Sequence, residues 1–141
     1  MRIFLVFGLF FLLISCQHKT YSPLTYEGKM LEWGTGGGFT GAVSTWCLLD
    51  NGRIFKSEDN GKTYQEVTKI TRTASTQFFD NFTTLGLRQM KLDEPGNKYY
   101  FLELREKEGA HKLVWGYKDL TNKVPAILHK NLMHIIKVEN Q

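Results

Sequence analysis

ASTQFFDNFTTLGLRQM, residues 74–90, decides the fold class. Phe78, Phe79, Phe82, Leu85 and Met90 return at spacings that fit one helical face, and Ser75 or Thr76 can cap the start. Gly86 weakens the end of that helix. On either side the pattern belongs to strands. From Tyr26 to Ile70 the chain is rich in β-formers and glycine, with turn chemistry at Gly34 to Gly38, at Asp50-Asn51-Gly52 and at Asp59-Asn60-Gly61. Asn or Asp before Gly suits hairpin turns that need positive φ. The spacing predicts strands near 26–33, 39–49, 53–57 and 63–70.

After the helix, Asp93-Glu94-Pro95-Gly96-Asn97 reads as a turn, Pro-Gly filling the central positions of a type II geometry. Two strands come next, 98–106 and 111–117, with Tyr100, Leu102, Leu104, Leu113, Trp115 and Tyr117 able to share a buried face. A second helix is expected over 125–137. Pro125 is tolerated in its first turn, and Val124, Ile127, Leu128, Leu132, Ile135 and Ile136 form its apolar stripe. The order strands, helix, strands, helix implies an α+β fold: an antiparallel sheet of five or six strands packed by two amphipathic helices.

The N-terminus carries a different message. Arg2 precedes an apolar run from Ile3 to Ile14, the n-region and h-region of a secretory signal. The run is shorter than the roughly 20 residues needed to cross a bilayer as a helix. Leu13-Ile14-Ser15-Cys16 closes it and resembles the lipobox of bacterial lipoproteins at every position. That resemblance implies cleavage before Cys16 and acylation of its thiol and new amine. Two or three acyl chains make a stable anchor where one does not. Residues 1–15 are thus expected to be signal peptide, 16–23 the lipidated cysteine and a tether, and 24–141 a single α+β domain. The expected location is a cell membrane or outer membrane. Gln17, in place of the aspartate linked to inner-membrane retention in enteric bacteria, favours the outer one.

The chain has 141 residues, a formal net charge of +4 and 42% hydrophobic residues, including ten Phe, six Tyr and three Trp. The charges are interspersed without a basic run, a balance that bears on solubility, and nucleic acid is not an expected partner. With Cys16 acylated, Cys47 has no disulfide partner. Its place among Val43, Thr45 and Leu49 on one strand face suits a buried thiol.

Gly34 to Gly41, GTGGGFTG, is the most conspicuous run. The next residues, Ala42 to Cys47, are β-branched and aromatic in character, so no helix N-terminus is offered to a phosphate. Gly36, Gly37, Gly38, Phe39 and Gly41 are accordingly a candidate binding or structural loop. Ser57-Glu58-Asp59-Asn60-Gly61-Lys62-Thr63-Tyr64 resembles the Asp-box hairpin of sialidase-like propellers. A propeller needs several blades, so Ser57, Asp59, Gly61, Thr63 and Tyr64 are read as a structural turn, Asp59 accepting local N–H bonds. His129 and His134 lie about 140° apart on a helix and cannot share one ion; both are read as solvated or half-buried. Acids alternate with cations over Lys98 to Lys112 as on a solvated strand face. No catalytic constellation, metal-ligand set or cofactor motif is evident, so an enzyme is not expected.

Gly37-Gly38-Phe39-Thr40-Gly41, the aromatic helix with Phe78 to Phe82, Tyr99-Tyr100-Phe101 on a strand, and Val124-Pro125 opening the last helix form a pattern along most of the domain. It resembles small lipoproteins of unassigned activity from Bacteroidetes-type bacteria and, more distantly, emfourin-like inhibitors of thermolysin-type metalloproteases. The second resemblance implies protease inhibition and carries over Gly37, Gly38, Phe39 and Gly41 as a fold element; the lipobox and the Asp-box-like hairpin depart from it. The expected function is a non-catalytic protein-binding module of the envelope, its partner another envelope or secreted protein. The alternative is a small-ligand or glycan binder using exposed Trp33, Trp46 and Trp115 with the glycine loop.

Cys16→Ser is expected to shift the expressed chain from the membrane pellet to the soluble fraction and to abolish incorporation of labelled palmitate. Unchanged labelling would remove the lipobox reading.

Overall fold

The computed structural model describes residues 20–116 and 120–138. Cys16, His18 and Tyr117 lie outside the described residues. Four strands open the fold, β1 (Met30–Gly37), β2 (Val43–Leu49), β3 (Arg53–Ser57) and β4 (Gln65–Lys69), followed by helix α1 (Arg72–Thr84). Then come β5 (Asp93–Glu94), β6 (Lys98–Glu106), β7 (Gly109–Gly116) and helix α2 (Val124–Val138). The order strands, helix, strands, helix stands, and the class is α+β with two helices on a sheet. The sheet has seven strands in the order β4-β3-β2-β1-β6-β7-β5, with β1 at its centre.

The strand count and the all-antiparallel expectation need correction. Asp93 and Glu94, expected in a turn, run parallel to Val114 and Trp115 of β7. Leu92 packs against the core and its carbonyl accepts the Val114 N–H at 2.8 Å, which brings the chain alongside β7. Pro95 comes next with no N–H to donate, and the pairing stops after two residues. The sheet is therefore mixed. At the opposite edge β4 carries Gln65, Glu66 and Lys69 exposed, charges that discourage pairing with another chain.

The first strand lies further along the chain than expected, at 30–37 in place of 26–33, and its glycines are the reason. A Cβ on Gly34 would sit 2.1 Å from the Ser44 carbonyl and 2.9 Å from the Phe101 ring; one on Gly36 would strike Tyr99 at 2.5 Å. These glycines are strand residues that let neighbouring strands and aromatic rings lie against the backbone. The turn is confined to residues 38–42, so β2 begins at Val43 and not at residue 39.

One face of the sheet, with Leu31, Trp33, Leu48, Ile54, Leu102, Leu104, Leu113 and Trp115, meets Phe79, Phe82, Leu128, Leu132 and Ile136 of the helices. Trp33 and Trp115 are buried there and Trp46 is half-buried, which removes the trio as an exposed aromatic platform. α1 starts earlier than expected, capped by Thr71, whose side chain accepts the Ala74 N–H; Ser75 is instead buried, its hydroxyl donating to the Leu49 carbonyl at 3.0 Å. α1 also ends earlier, at Thr84. Gly86, with φ +73°, takes the left-handed conformation, its N–H donating to the Thr83 carbonyl and that of Leu87 to the Phe82 carbonyl. This is a Schellman close, with Leu87 and Phe82 both buried. Leu85 is left exposed and Met90 reaches the core from beyond the helix.

In α2 the buried row is Pro125, Leu128, His129, Leu132 and Ile136, so Ile127, expected inside, is exposed, and His129, expected at least half-solvated, is buried. His129 Nε2 lies 3.1 Å from the Gly34 carbonyl, which can only accept, so Nε2 donates. The imidazole meets Tyr100 and Trp115 edge-on at 5.4 and 5.8 Å. That bond and those rings fix the rotation of α2, and with it which side chains face the sheet. His134 is exposed on another face.

Phe82→Ala is expected to cost about 3–5 kcal/mol through the cavity it leaves. A fall in the urea midpoint without change in m checks it.

Candidate functional site

The face of the sheet away from the helices holds the site. Strand alternation puts Met30, Glu32, Gly34 and Gly36 of β1 on that face, beside Thr45, Cys47 and Leu49 of β2 and Tyr99, Phe101, Glu103 and Arg105 of β6. Lys112 of β7 stands opposite Glu103, and Glu32 lies between Glu103 and Cys47. Beside this floor a small second core of Met30, Cys47, Leu49 and Phe55 is covered by Tyr21, Tyr26 and Tyr64.

Glu32 and Glu103 are cross-strand partners, both almost wholly buried. Like charges in that position repel unless cations intervene. Arg105 supplies one, its Nη2 3.3 Å from Glu32 Oε2 and its Nε 2.9 Å from Glu103 Oε1; Lys112 Nζ lies 3.1 Å from Glu103 Oε2. The Tyr64 hydroxyl donates to Glu32 Oε1 at 3.1 Å. The two carboxyls respond in opposite directions. Burial pushes Glu32 above the ordinary value, with Glu103 adding to the rise while Arg105 and Tyr64 oppose it. Burial would raise Glu103 too, but the hydrogen bond and charge of Lys112, joined by Arg105, outweigh it and hold that carboxyl low. Burial, and then the charge of Glu32, push both the Tyr64 phenol and the Cys47 thiol up, so Cys47 is an unreactive core thiol.

Over this floor opens a trough of about 320 Å³. The strap before β1 (Pro23, Leu24, Tyr26) walls one end, and Asn60 and Gly61 with Tyr64 wall another side. The strap is fastened: the Tyr26 hydroxyl donates to Asp50, and Arg53 lies over the Tyr21 ring at 4.9 Å. Tyr21 and Ser22 are half-buried and Pro23 buried, so packing reaches back into the stretch expected to be tether.

The Asp-box-like turn closes on itself. Asp59 Oδ1 accepts the N–H groups of Lys62 and Thr63 and the Ser57 hydroxyl; Oδ2 accepts the Thr63 hydroxyl at 2.6 Å. Ser57 Oγ accepts the Gly61 N–H at 2.9 Å. Those bonds, the Thr63 hydroxyl foremost, hold the Asp59 carboxyl far below the ordinary range. The turn delivers Tyr64 to Glu32, so the motif reaches the site through one phenol.

The glycine run divides. Gly36 and Gly37 belong to β1, and Gly36 lies beneath Tyr99. Gly38, Phe39 and Gly41 form the loop, with φ of +77° at Gly38 and +63° at Gly41, and the Gly38 N–H donates to the Asn97 carbonyl. Phe39 is fully exposed at 107%, whereas the other exposed large apolar side chains among the described residues reach at most 60%. The loop enters β2 at Val43, which lines the trough.

Glu32, Glu103, Arg105 and Lys112 escape a reading by motif. Their signal is a repeated triplet, Leu31-Glu32-Trp33 and Leu102-Glu103-Leu104, an acid between two core residues in each of two strands. Glu103, on a stretch expected to face solvent, is instead buried, with Glu32 of β1 beside it and Arg105 and Lys112 paired to its carboxylate. The floor sets hydrogen-bond acceptors next to cationic donors within a ring of Tyr64, Tyr99 and Phe101. It can hold a polar group of either sign while the rings cover apolar surface. Among the described residues no group of His, Cys, Asp and Glu is placed to hold a metal ion, and no helix is long and apolar enough to cross a membrane. No protein-family model matches the chain, and no curated protein matches it.

Glu32, with its raised folded value, contributes fully below about pH 4.3 and loses that contribution as pH rises through the folded value; Glu103, with its lowered value, contributes above about pH 4.3 and loses it as pH falls. Well above about pH 4.3, from about pH 6 to 8, Glu32→Gln is therefore expected to gain stability relative to wild type and Glu103→Gln to lose it. Urea unfolding across that range checks the opposite signs.

Proposed function

We infer that the chain is a lipid-anchored envelope protein that binds another protein, without catalysis, through the loop end of the sheet. The observation that carries this reading is Phe39. A fully exposed phenyl ring gains roughly 2–3 kcal/mol on burial, and aromatic side chains, Phe among them, are enriched at protein interfaces. Its short loop leads directly out of the central strand, which limits the ordering cost of binding. The resemblance of Gly37-Gly38-Phe39-Thr40-Gly41 to the emfourin-like pattern makes a thermolysin-type metalloprotease the first partner to test, with inhibition as the outcome. The lipobox at Cys16 puts that partner among exported proteins, at the outer membrane by the residue after the cysteine.

A second reading, a small-ligand or glycan site, is supported by the trough, whose volume lies at the lower end of ligand pockets. Its residues would be Tyr64, Tyr99, Glu32 and Lys112, in place of the buried tryptophans.

Immobilised chain is expected to retain an envelope or secreted protein, and Phe39→Ala to weaken that retention at least about tenfold, the size of a 1.4 kcal/mol anchor, with no change in thermal midpoint. A metalloprotease whose activity falls on titration supports inhibition. Retention unaffected by Phe39→Ala removes the loop from the binding site, and a failure to retain any protein, together with NMR shifts at Tyr99 on adding glycans, transfers the function to the trough.

A further inference from the structure

The two ends of the sheet are unlike, and the chain enters at only one of them. β1 begins at Met30, opposite Leu49 of β2 and Arg105 of β6, and Arg53 at the start of β3 pairs with Lys69 at the end of β4. This end, the base, therefore carries the Asp50 turn, the Glu106 to Gly109 turn and the start of α1. The opposite end carries the Phe39 loop, the Asp59 turn and the Pro95 turn, since Gly37 pairs with Lys98 and Thr45 with Ser57. Eight residues of β1 separate the two ends, about 26 Å at 3.3 Å per residue.

The strap fixes the point of entry at the base. Arg53 stacks on Tyr21, the Tyr26 hydroxyl bonds Asp50, and Lys29 and Asp50 exchange bonds, the Lys29 N–H donating to Asp50 Oδ2 at 3.2 Å and the Asp50 N–H to the Lys29 carbonyl at 3.1 Å. Five peptide units separate Tyr21 from Cys16, a covalent reach of at most about 18 Å. That is shorter than the sheet is long. A lipid on Cys16 holds the base within this reach of the bilayer, and an upright tip-down pose would put the base farther off than the tether spans.

The base surface suits that neighbour. Lys29, Lys69, Arg72 and Lys107 are exposed there; Lys29 is paired with Glu106 at 3.1 Å, Glu66 is paired with Arg53, and Glu27 and Glu108 are exposed acids of the same end. Leu85 is exposed in the turn that the Arg88–Glu106 ion pair holds at this end. Cations beside an apolar contact fit the headgroup layer of an anionic membrane, within the Debye length over which such charges act.

We propose that the lipidated chain stands base-down on the bilayer, the sheet end bearing Lys29, Lys69 and Lys107 against phospholipid headgroups and the Phe39, Asp59 and Pro95 loops forming the membrane-distal tip. This orientation rests on lipidation of Cys16 and deepens the proposed function, because it points the Phe39 loop toward soluble or facing partners and away from the lipid surface.

The test uses the full lipidated chain in vesicles of phosphatidylcholine and phosphatidylglycerol containing a headgroup nitroxide quencher. A fluorophore is placed by Lys69→Cys or Lys107→Cys at the base, and by Lys62→Cys or Asn97→Cys at the tip; buried Cys47 stays unlabelled. Base labels are expected to lose most of their fluorescence and tip labels none above that of the label in bulk buffer. Equal loss at base and tip in a chain whose mass shows acylated Cys16 overturns the orientation while leaving the anchor. A chain whose mass shows no lipid on Cys16 overturns both.

Discussion

Gly34, in the central strand of the sheet, has no side chain, and the packing on both sides of β1 depends on that vacancy. The Ser44 carbonyl and the Phe101 ring occupy the space a Cβ would need, and the Gly34 carbonyl receives the imidazole of His129 from α2. Neighbouring strands and the second helix are thus referred to one backbone position. The bond to His129 is buried and edged by two aromatic rings, where an unmade bond would cost about 1–3 kcal/mol. It sets which turn of α2 faces Trp115, and so where Leu128, Leu132 and Ile136 enter the core.

The helix-free face is organised by a different constraint. Two carboxylates on adjacent strands are kept together at the floor of the trough, almost wholly buried, and Arg105 and Lys112 are what make this tolerable. Burial raises the proton affinity of Glu32 while the ion pairs lower that of Glu103, so the two carboxyls respond in opposite directions to one set of surroundings. The Asp-box-like turn contributes from outside. Its internal bonds make a rigid bracket, and the bracket carries the Tyr64 phenol to Glu32. A motif that is self-contained in its hydrogen bonding becomes part of the site through the one residue that leaves it.

Strap and loop divide the molecule along the strand axis. The strap before β1 ties the chain to the base of the sheet, while glycines at the far end of the same strand carry Phe39 into solvent. One strand therefore connects the strap to the Phe39 loop, and its central place in the sheet keeps the two rigidly spaced. The trough lies between them on the helix-free face, with a wall from each: Pro23 and Leu24 from the strap, Asn60 and Gly61 from the bracket.

Local chemistry is legible in the sequence because it acts over a few residues. The helix of Phe79 and Phe82, the Pro125 helix, the turn of Asp59, the burial of Cys47 and the class α+β all come from spacing, capping and turn preference. Boundaries moved where a distant partner decided them. Gly34 and Gly36 look like a turn until the rings of Phe101 and Tyr99 are laid over them, and Asp93-Glu94 looks like a turn until Leu92 docks beside β7. The floor of Glu32, Glu103, Arg105 and Lys112 is not legible, since alternating charges on a strand are what a solvated face also shows. Whether such a carboxylate meets water or another carboxylate is decided by the strand that pairs beside it, across some seventy residues of chain. The sequence by itself determined the two helices, the longer strands and their order, because those depend on neighbours along the chain; only the tertiary structure decided β5, register, the rotation of α2 and the pairing of Glu32 with Glu103, because those depend on neighbours across the sheet.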